Sequence, residues 1–147
     1  MKTSAEGVAL IKKFEGCKLQ SYLCSADVWT LGFGHTRGVK EGDSCTQEQA
    51  EQTLVDDLFE FEKYVHKHVN VALDQNQFDA LVAWTFNLGP TNLRESTLLK
   101  RVNEERFSDV PTEIRRWNRA GGEVVQGLVR RRAAEALLWE GKKWEHI

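Results

Sequence analysis

The hydrophobic period of this chain changes at Gly16, and that change determines the order of its first elements. Before Gly16, apolar residues recur at helical spacing behind the capping-box pattern Thr3-x-x-Glu6, which predicts a helix from about Ser4 to Glu15. From Lys18 to His35 the period is two, which predicts a β-hairpin with its turn near residues 25–27 and room for a third short strand. Glu15 is therefore expected at the end of a helix, directly before the hairpin.

Helical patterns dominate the rest of the chain. The pattern Thr46-x-x-Gln49 opens a long acidic helix, expected to bridge two lobes, and Asp74-x-x-Gln77 opens a helix that is apolar over much of its surface. Gly89-Pro90 should end that second helix. Further helices are predicted at 96–103, around 110–120 and at 128–140.

These patterns predict an α+β fold that is mainly α. A chain of 147 residues has the length of one domain and can bury a real core. We expect a small hairpin lobe, which together with the linking helix covers about residues 1–60, and a larger helical lobe over about 61–147. A cleft should lie between the two lobes.

The cysteine content and the N-terminal residues indicate which kinds of site and which cellular location to expect. The three cysteines show no metal-ligand spacing with the four histidines, so neither a zinc site nor a disulfide framework is expected. The first residues lack an apolar run of the length that a signal peptide or a membrane anchor needs, so neither is expected. The chain should therefore fold in a cytosol.

Charge is unevenly distributed along the chain. Residues 1–90 carry 8 lysines and arginines against 13 acidic residues, whereas residues 91–147 carry 12 against 9. The clusters Arg115-Arg116 and Arg130–Arg132 suit an anionic polymer, such as nucleic acid or the phosphates of a cell envelope. The interpretation we favour is that they lie on helix faces and pair with the nearby acids Glu113, Glu123 and Glu135.

Glu15 has the setting that a general acid needs. Glycoside cleavage requires an acid that protonates the leaving oxygen and a second group that delivers a nucleophile to the anomeric carbon. The carbonyl end of a helix disfavours a carboxylate, as does partial burial in a cleft, so Glu15 is suited to keep a proton and to donate it.

The strand after the turn complements this acid. Alternation along residues 28–35 predicts one small, polar face that contains Val28, Thr30, Gly32 and Gly34. On that face the glycines can form the floor of a sugar groove, and the Thr30 hydroxyl can orient a water. The opposite face should anchor the hairpin; it contains Trp29, Leu31, Phe33 and His35.

The spacing of Glu15, Cys24 and Thr30 resembles that of the phage lysozymes, the endolysins of glycoside hydrolase family 24. The family pattern is Glu, eight residues, Asp or Cys, five residues, Thr, and Cys24 stands where most members have Asp. Four further blocks resemble the family and extend the similarity over essentially the whole chain: Asn76–Leu81, Phe86–Gly89, Ser96–Leu99 and Gly127–Glu135.

The resemblance implies a lysozyme-like, endo-acting muramidase. Such an enzyme hydrolyses the β-1,4 bond between N-acetylmuramic acid and N-acetylglucosamine in peptidoglycan and thereby lyses the host cell. It implies that Glu15 is the acid, that Thr30 holds the water and that Cys24 is a base or a charge stabiliser. The substrate-binding residues expected from it are Gly32, Gly34, His35, Phe86 and Thr97, with His35 acting mainly as structural support beside the groove.

The resemblance also implies a cellular setting. Peptidoglycan is the expected partner, without nucleic acid, stable membrane insertion, metal or organic cofactor, and the protein is expected to be a monomer. It should stay in the host cytoplasm until a separate holin opens the membrane, and then act in the periplasm on the cell wall.

Several alternatives stay open. A lytic transglycosylase uses one acidic residue and closes an anhydro-sugar without water, and a non-catalytic module could bind cell wall or nucleic acid through the basic C-terminal half. Asp27 is a rival to Cys24, although an Asx-turn suits its position better. Cys17 is either a small buried apolar residue or the partner of Cys24 in a disulfide that silences the enzyme under oxidising conditions.

Overall fold

The computed structural model describes residues 1–147 and has the predicted α+β, mainly α architecture. The elements follow in this order: α1 (Ala5–Glu15), β1 (Lys18–Leu23), β2 (Trp29–Gly32), α2 (Gln47–His68), α3 (Gln75–Leu88), α4 (Pro90–Glu95), α5 (Thr97–Asn103), a single 3-10 turn (Phe107–Asp109), α6 (Val110–Arg115), β3 (Arg119–Ala120), β4 (Glu123–Val124) and α7 (Gln126–Trp139). None of the helices is both long enough and apolar enough to cross a membrane.

The chain divides into two compact units. The smaller is Ile11–Glu60, and the larger joins Met1–Leu10 to Phe61–Ile147. Sequence patterns assign residues 1–10 to the smaller lobe instead. The N-terminal residues have distant partners in the larger unit: the Trp144 indole, for example, donates to Glu6 Oε2 at 2.9 Å. Local patterns contain no signal for a partner 138 residues away.

The N-terminus of α1 is capped by residues from outside the local sequence. Both the N–H and the hydroxyl of Thr3 donate to Glu62 Oε2, at 2.8 and 2.6 Å. The N–H and the hydroxyl of Ser4 donate to the Asp79 carboxylate. The predicted Thr3-x-x-Glu6 capping box is therefore wrong, because Glu62 and Asp79 supply the acceptors that a local box would have provided.

The smaller unit is organised around an antiparallel hairpin. β1 pairs with β2 in the register Lys18↔Gly32, Tyr22↔Thr30 and Leu23↔Trp29, with a bulge in β1 between Lys18 and Tyr22. The bulged stretch pairs on its other side with residues 43–45, through a single bridge between Gln20 and Ser44. Residues 18–35 contain no third strand, and after β2 only a single bridge joins Leu31 to His35.

The predicted capping box at the start of α2 is present. Thr46 N–H donates to Gln49 Oε1 at 2.9 Å, and Gln49 N–H donates to Thr46 Oγ1 at 3.1 Å. The apolar stripe of this helix is turned inwards, with Ala50, Leu54 and Leu58 almost fully buried. This buried stripe fixes the rotation of α2 within the smaller unit.

The larger unit has α3 as its core helix, as the sequence predicts. The capping box of Asp74 and Gln77 is present, and residues 78–85 are buried without interruption. α3 packs against α7. Gly89 ends α3 with a positive φ of 92°, and the following proline opens α4, a short helix that the sequence analysis did not identify.

The helix predicted around 110–120 is wrong beyond Arg115. Residues 119–124 form a small hairpin instead, in which Arg119–Ala120 pairs with Glu123–Val124. Gly121 and Gly122 make its turn, with φ values of 59° and 82°. Because glycine tolerates positive φ without steric cost, this pair ends the helical region and reverses the chain.

Candidate active site

The carboxyl group of Glu15 lies directly against the backbone of Gly34. Glu15 is the last residue of α1, and Gly16 follows it with a φ of 67°, as a helix C-cap requires. A Cβ placed on Gly34 would stand 2.7 Å from Glu15 Oε1, which is closer than any real Cβ contact. Gly34 also has a φ of 83°, so both its conformation and its missing side chain are needed here.

The chain reaches Gly34 through a tight reversal. β2 ends at Gly32, whose φ is 65°, and the backbones of Leu31 and His35 then bond each other in both directions, at 2.8 and 2.9 Å. The predicted alternation is therefore wrong beyond Gly32, since residues 32–35 turn back instead of extending the strand. The reversal places Gly34 against the acid.

Cys24 and Thr30 lie together at the closed end of the hairpin. Thr30 is only 4% exposed, and its hydroxyl donates to the Val28 carbonyl at 3.0 Å. Hydrogen bonds from the backbone of Val28, and then of Ala26, lower the pKa of the half-buried Cys24 thiol, and the Thr30 hydroxyl acts in the same direction. The site therefore favours a thiolate at position 24.

Asp27 occupies the turn of the hairpin and is exposed. Its N–H donates to the Cys24 carbonyl at 2.9 Å, and its φ is 59°. Aspartate tolerates this left-handed conformation better than most residues, so the turn itself explains an aspartate at this position.

His35 is held by an acid that sequence analysis did not identify as a site residue. Its Nδ1 lies 2.8 Å from Asp57 Oδ2 on α2, and both side chains are about three-quarters buried. His35 also borders a groove of about 580 Å³, with Arg37 and Phe59 among the other lining residues. The sequence signal for Asp57 is weak, because the partners are 22 positions apart in different elements.

Tyr22 is the second site residue without a predicted role. Burial raises the pKa of its phenol, and the charges of Glu15 and Cys24 raise it further. Tyr22, Glu15 and Cys24 therefore lie within electrostatic range of one another. Alternation along β1 would have placed Tyr22 on the same face as Cys24, two residues later.

The family model for phage lysozymes matches residues 12–135 of the chain. The chain belongs to the phage lysozyme family. An endolysin of Acyrthosiphon pisum secondary endosymbiont phage 1 is 41% identical over 144 residues, which cover 95% of this chain and 99% of that protein. The endolysin of Bacillus phage PZA is 42% identical over 142 residues, 95% of this chain, but the chain spans only 55% of that longer protein.

A solved structure agrees with the family assignment. The muramidase domain of SpmX from Asticaccaulis excentricus superposes with a TM-score of 0.88 at 39% identity, over 94% of this chain and 97% of that one. The resemblance and the fold class inferred from the sequence are both confirmed by these matches.

Two residues predicted to bind substrate lie in the larger unit of this phage lysozyme. Phe86, near the end of α3, is half-buried and makes an edge-on contact with Phe61, with ring centroids 5.1 Å apart. Thr97 is the first residue of α5 and is exposed behind the N-cap Ser96. Their role in binding substrate remains a prediction.

The cysteines of this phage lysozyme are all free. Cys17 and Cys24 stand at opposite ends of β1, a strand of six residues. An extended strand rises about 3.3 Å per residue, so the two thiols are far beyond the ~4 Å Cβ separation of a disulfide. The hypothesis of a Cys17–Cys24 bond is therefore wrong. The Cys17 thiol instead contacts Gln47 Oε1 at 3.7 Å, and its pKa is raised by burial and by the nearby Cys45 and Glu51.

The basic clusters of this phage lysozyme are largely used within the fold. Arg131 and Arg132 on α7 are buried and pair with the buried Glu135, at 3.1 and 3.0 Å. Arg116 pairs with Glu113 at 3.2 Å. Buried Arg131 and Arg132 cannot contact an anionic polymer, so of the two clusters only Arg115, Arg116 and Arg130 are exposed.

The structure contains no group of three or more histidine, cysteine, aspartate or glutamate side chains that could hold a metal ion.

Proposed function

We propose that this phage lysozyme is an endolysin that hydrolyses the β-1,4 bond between N-acetylmuramic acid and N-acetylglucosamine, with Glu15 as the general acid. Membership of the family makes it a cell-wall-lysing muramidase. The observation that supports the assignment of Glu15 is its contact with the backbone of Gly34, because a residue with any side chain there would displace the carboxyl group.

In the proposed reaction, Glu15 gives its proton to the glycosidic oxygen as the bond from that oxygen to the anomeric carbon breaks. Positive charge develops on the sugar ring, and an anion close to the ring stabilises it. Cys24 is suited to that role because its surroundings favour the thiolate. The thiolate acts either as a charge stabiliser or as the base that takes a proton from the attacking water.

Thr30 is the proposed holder of the attacking water. Its hydroxyl donates to the Val28 carbonyl, so its free lone pairs can accept a hydrogen bond from that water. The water oxygen bonds to the anomeric carbon, and one water proton passes to the Cys24 thiolate if it is the base, or to solvent if it is a charge stabiliser. A proton from the same acceptor then returns to Glu15 before the next turnover. Gly32, Gly34 and His35 are the proposed floor and support of the sugar groove in the smaller unit. Phe86 and Thr97, in the larger unit, are proposed from the family resemblance to contact the glycan.

Product chemistry tests this reaction. Purified sacculi digested in water enriched in ¹⁸O should yield new muramic acid reducing ends that carry one ¹⁸O atom each. A lytic transglycosylase would yield 1,6-anhydro ends without the label, and that product would overturn the hydrolytic assignment.

We also propose a route to the substrate. The relatives are endolysins, proteins released to act on the cell wall. The proposed route is storage in the host cytoplasm, release through holin pores and attack on peptidoglycan by a monomer. Expression with and without a holin gene tests the route: lysis should follow holin induction, whereas equally fast lysis without holin would contradict it. Analytical ultracentrifugation measures the molecular mass in solution and thereby tests whether the protein is a monomer.

A further inference from the structure

Tyr22 shares one face of the hairpin with the proposed catalytic groups. It is directly opposite Thr30 in the register of β1 and β2. Cys24 follows two residues later, and its N–H donates to the Val28 carbonyl, so the pairing continues to that point. Since side chains two residues apart on a strand point the same way, Tyr22, Cys24 and Thr30 lie on the same side of the hairpin.

The ionisable groups around Tyr22 come from different elements. Glu15 approaches from the end of α1, and Cys24 lies just beyond β1. β2 has the sequence WTLG and carries no ionisable side chain. Asp43, on the segment that pairs with the bulged part of β1, accepts a hydrogen bond from the Lys40 N–H at 2.8 Å. Glu15 and Cys24 are the two whose charges act on the phenol.

The phenol is a hydrogen-bond donor at working pH. Burial, Glu15 and Cys24 all raise the pKa of Tyr22 above its ordinary value of 10.0, so the hydroxyl keeps its proton under neutral conditions. Both neighbours become hydrogen-bond acceptors when they ionise. A neutral donor next to two groups that can be anionic favours their ionised forms.

We propose that Tyr22 is a positioning residue of the active site, whose phenol donates a hydrogen bond to whichever of Glu15 and Cys24 is ionised. This inference rests on the proposed function. In the reaction, Glu15 becomes a carboxylate when it protonates the leaving oxygen, and Tyr22 then stabilises that carboxylate. Before this step the same hydroxyl supports the Cys24 thiolate.

The substitution Tyr22→Phe tests the proposal, because it keeps the ring and removes the hydroxyl. Loss of a hydrogen bond to a charged group should lower kcat by about 10- to 100-fold while KM changes little. The substitution removes a hydrogen-bond donor from both anions. The acidic limb, the basic limb or both limbs of the plot of kcat/KM against pH should therefore move to higher pH by about one unit.

The chain offers a matched control. Its only other tyrosine is Tyr64, which lies on α2 in the larger unit and contacts Phe61. Tyr64→Phe makes the same chemical change and should leave both kcat and the pH limbs unchanged. A Tyr22→Phe enzyme with reduced kcat but unmoved limbs has lost only structural support, and that result would overturn the proposal.

A second measurement keeps the test independent of folding and of catalysis. Incorporation of 3-fluorotyrosine labels both tyrosines, and the Tyr64→Phe variant identifies the ¹⁹F resonance of Tyr22. That resonance should move with pH as Cys24 ionises, and this step should disappear in Cys24→Ser. At one fixed pH the resonance should also differ between the wild type and Glu15→Gln. A resonance that is unchanged by both substitutions overturns the inference on Tyr22. Full activity of Glu15→Gln, by contrast, would overturn the proposed function itself.

Discussion

The Oε1 atom of Glu15 lies 2.7 Å from the point where a Cβ on Gly34 would stand. A side chain at position 34 would therefore push the carboxyl group of the proposed acid out of its place. We predict that Gly34→Ala displaces the carboxyl group and lowers turnover by about 10²-fold, the size of effect that a displacement of about 1 Å can cause. Turnover on sacculi, measured with the unfolding midpoint, checks this prediction.

Gly38→Ala is the control for that change. Gly38 also has a positive φ, 73°, but an added Cβ there would meet nothing within 4 Å. Both variants should lose about 1–2 kcal/mol of stability from the left-handed backbone. Only Gly34→Ala should lose activity, and equal activity losses in the two variants would show that backbone strain is responsible.

Cys24→Ser should lose most activity, and Cys24→Asp should keep a substantial part of it. The position requires an ionisable group, and serine has no accessible anion. Steady-state turnover of the two variants on sacculi checks the prediction. If Cys24→Ser matches the wild type while Asp27→Asn is inactive, then Asp27 holds the role assigned here to Cys24.

The cysteines should differ in their reaction with iodoacetamide. The thiolate is the reactive form, the pKa of Cys24 is lowered, and the pKa of Cys17 is raised mainly by burial. At neutral pH Cys24 should therefore be alkylated first, with loss of activity in step. Thr30→Val removes the hydroxyl that lies beside the thiol and lowers the pKa of Cys24, so it should move the alkylation of Cys24 to higher pH. Mass spectrometry of quenched samples measures both effects, and preferential labelling of Cys17 would contradict them.

The contact between His35 and Asp57 should contribute to stability. Its 2.8 Å distance and partial burial match a hydrogen bond to a charged group, so Asp57→Ala, which removes the acceptor, should cost about 1.5–3 kcal/mol in the free energy of unfolding. Asp56→Ala, next to it, removes only an exposed contact with Gln52 and should cost less than about 0.5 kcal/mol. Urea denaturation compares the two, and equal midpoints would disprove the contribution of Asp57.

The sequence predicts the features of this fold that depend on neighbours within one helical turn. The Thr46 and Asp74 capping boxes are present as expected, and Gly16 ends α1 directly after Glu15. Each of these features joins residues at most four positions apart, and the physical rules for such short intervals are strong.

Features that depend on distant partners could not be predicted in this way. The Thr3 pattern has the form of a capping box, but Glu62 offers Thr3 a better acceptor from 59 residues away. The sequence does not predict the reversal at Gly32, because the same alternation of bulky and small residues is compatible with a glycine in extended or in positive-φ conformation. No local pattern marks Asp57 either, because its partner His35 belongs to another element 22 positions away.

The most direct test of Glu15 as the general acid is the release of reducing ends from purified sacculi by Glu15→Gln, beside the control Glu41→Gln. Glu41 is an exposed glutamate in a loop of the same unit, so its variant makes the same chemical change away from the site. We predict that Glu15→Gln folds like the wild type and loses at least the roughly 10²–10⁴-fold that general acid catalysis supplies, while Glu41→Gln stays fully active. Near-wild-type hydrolysis by a folded Glu15→Gln protein would contradict the assignment of Glu15.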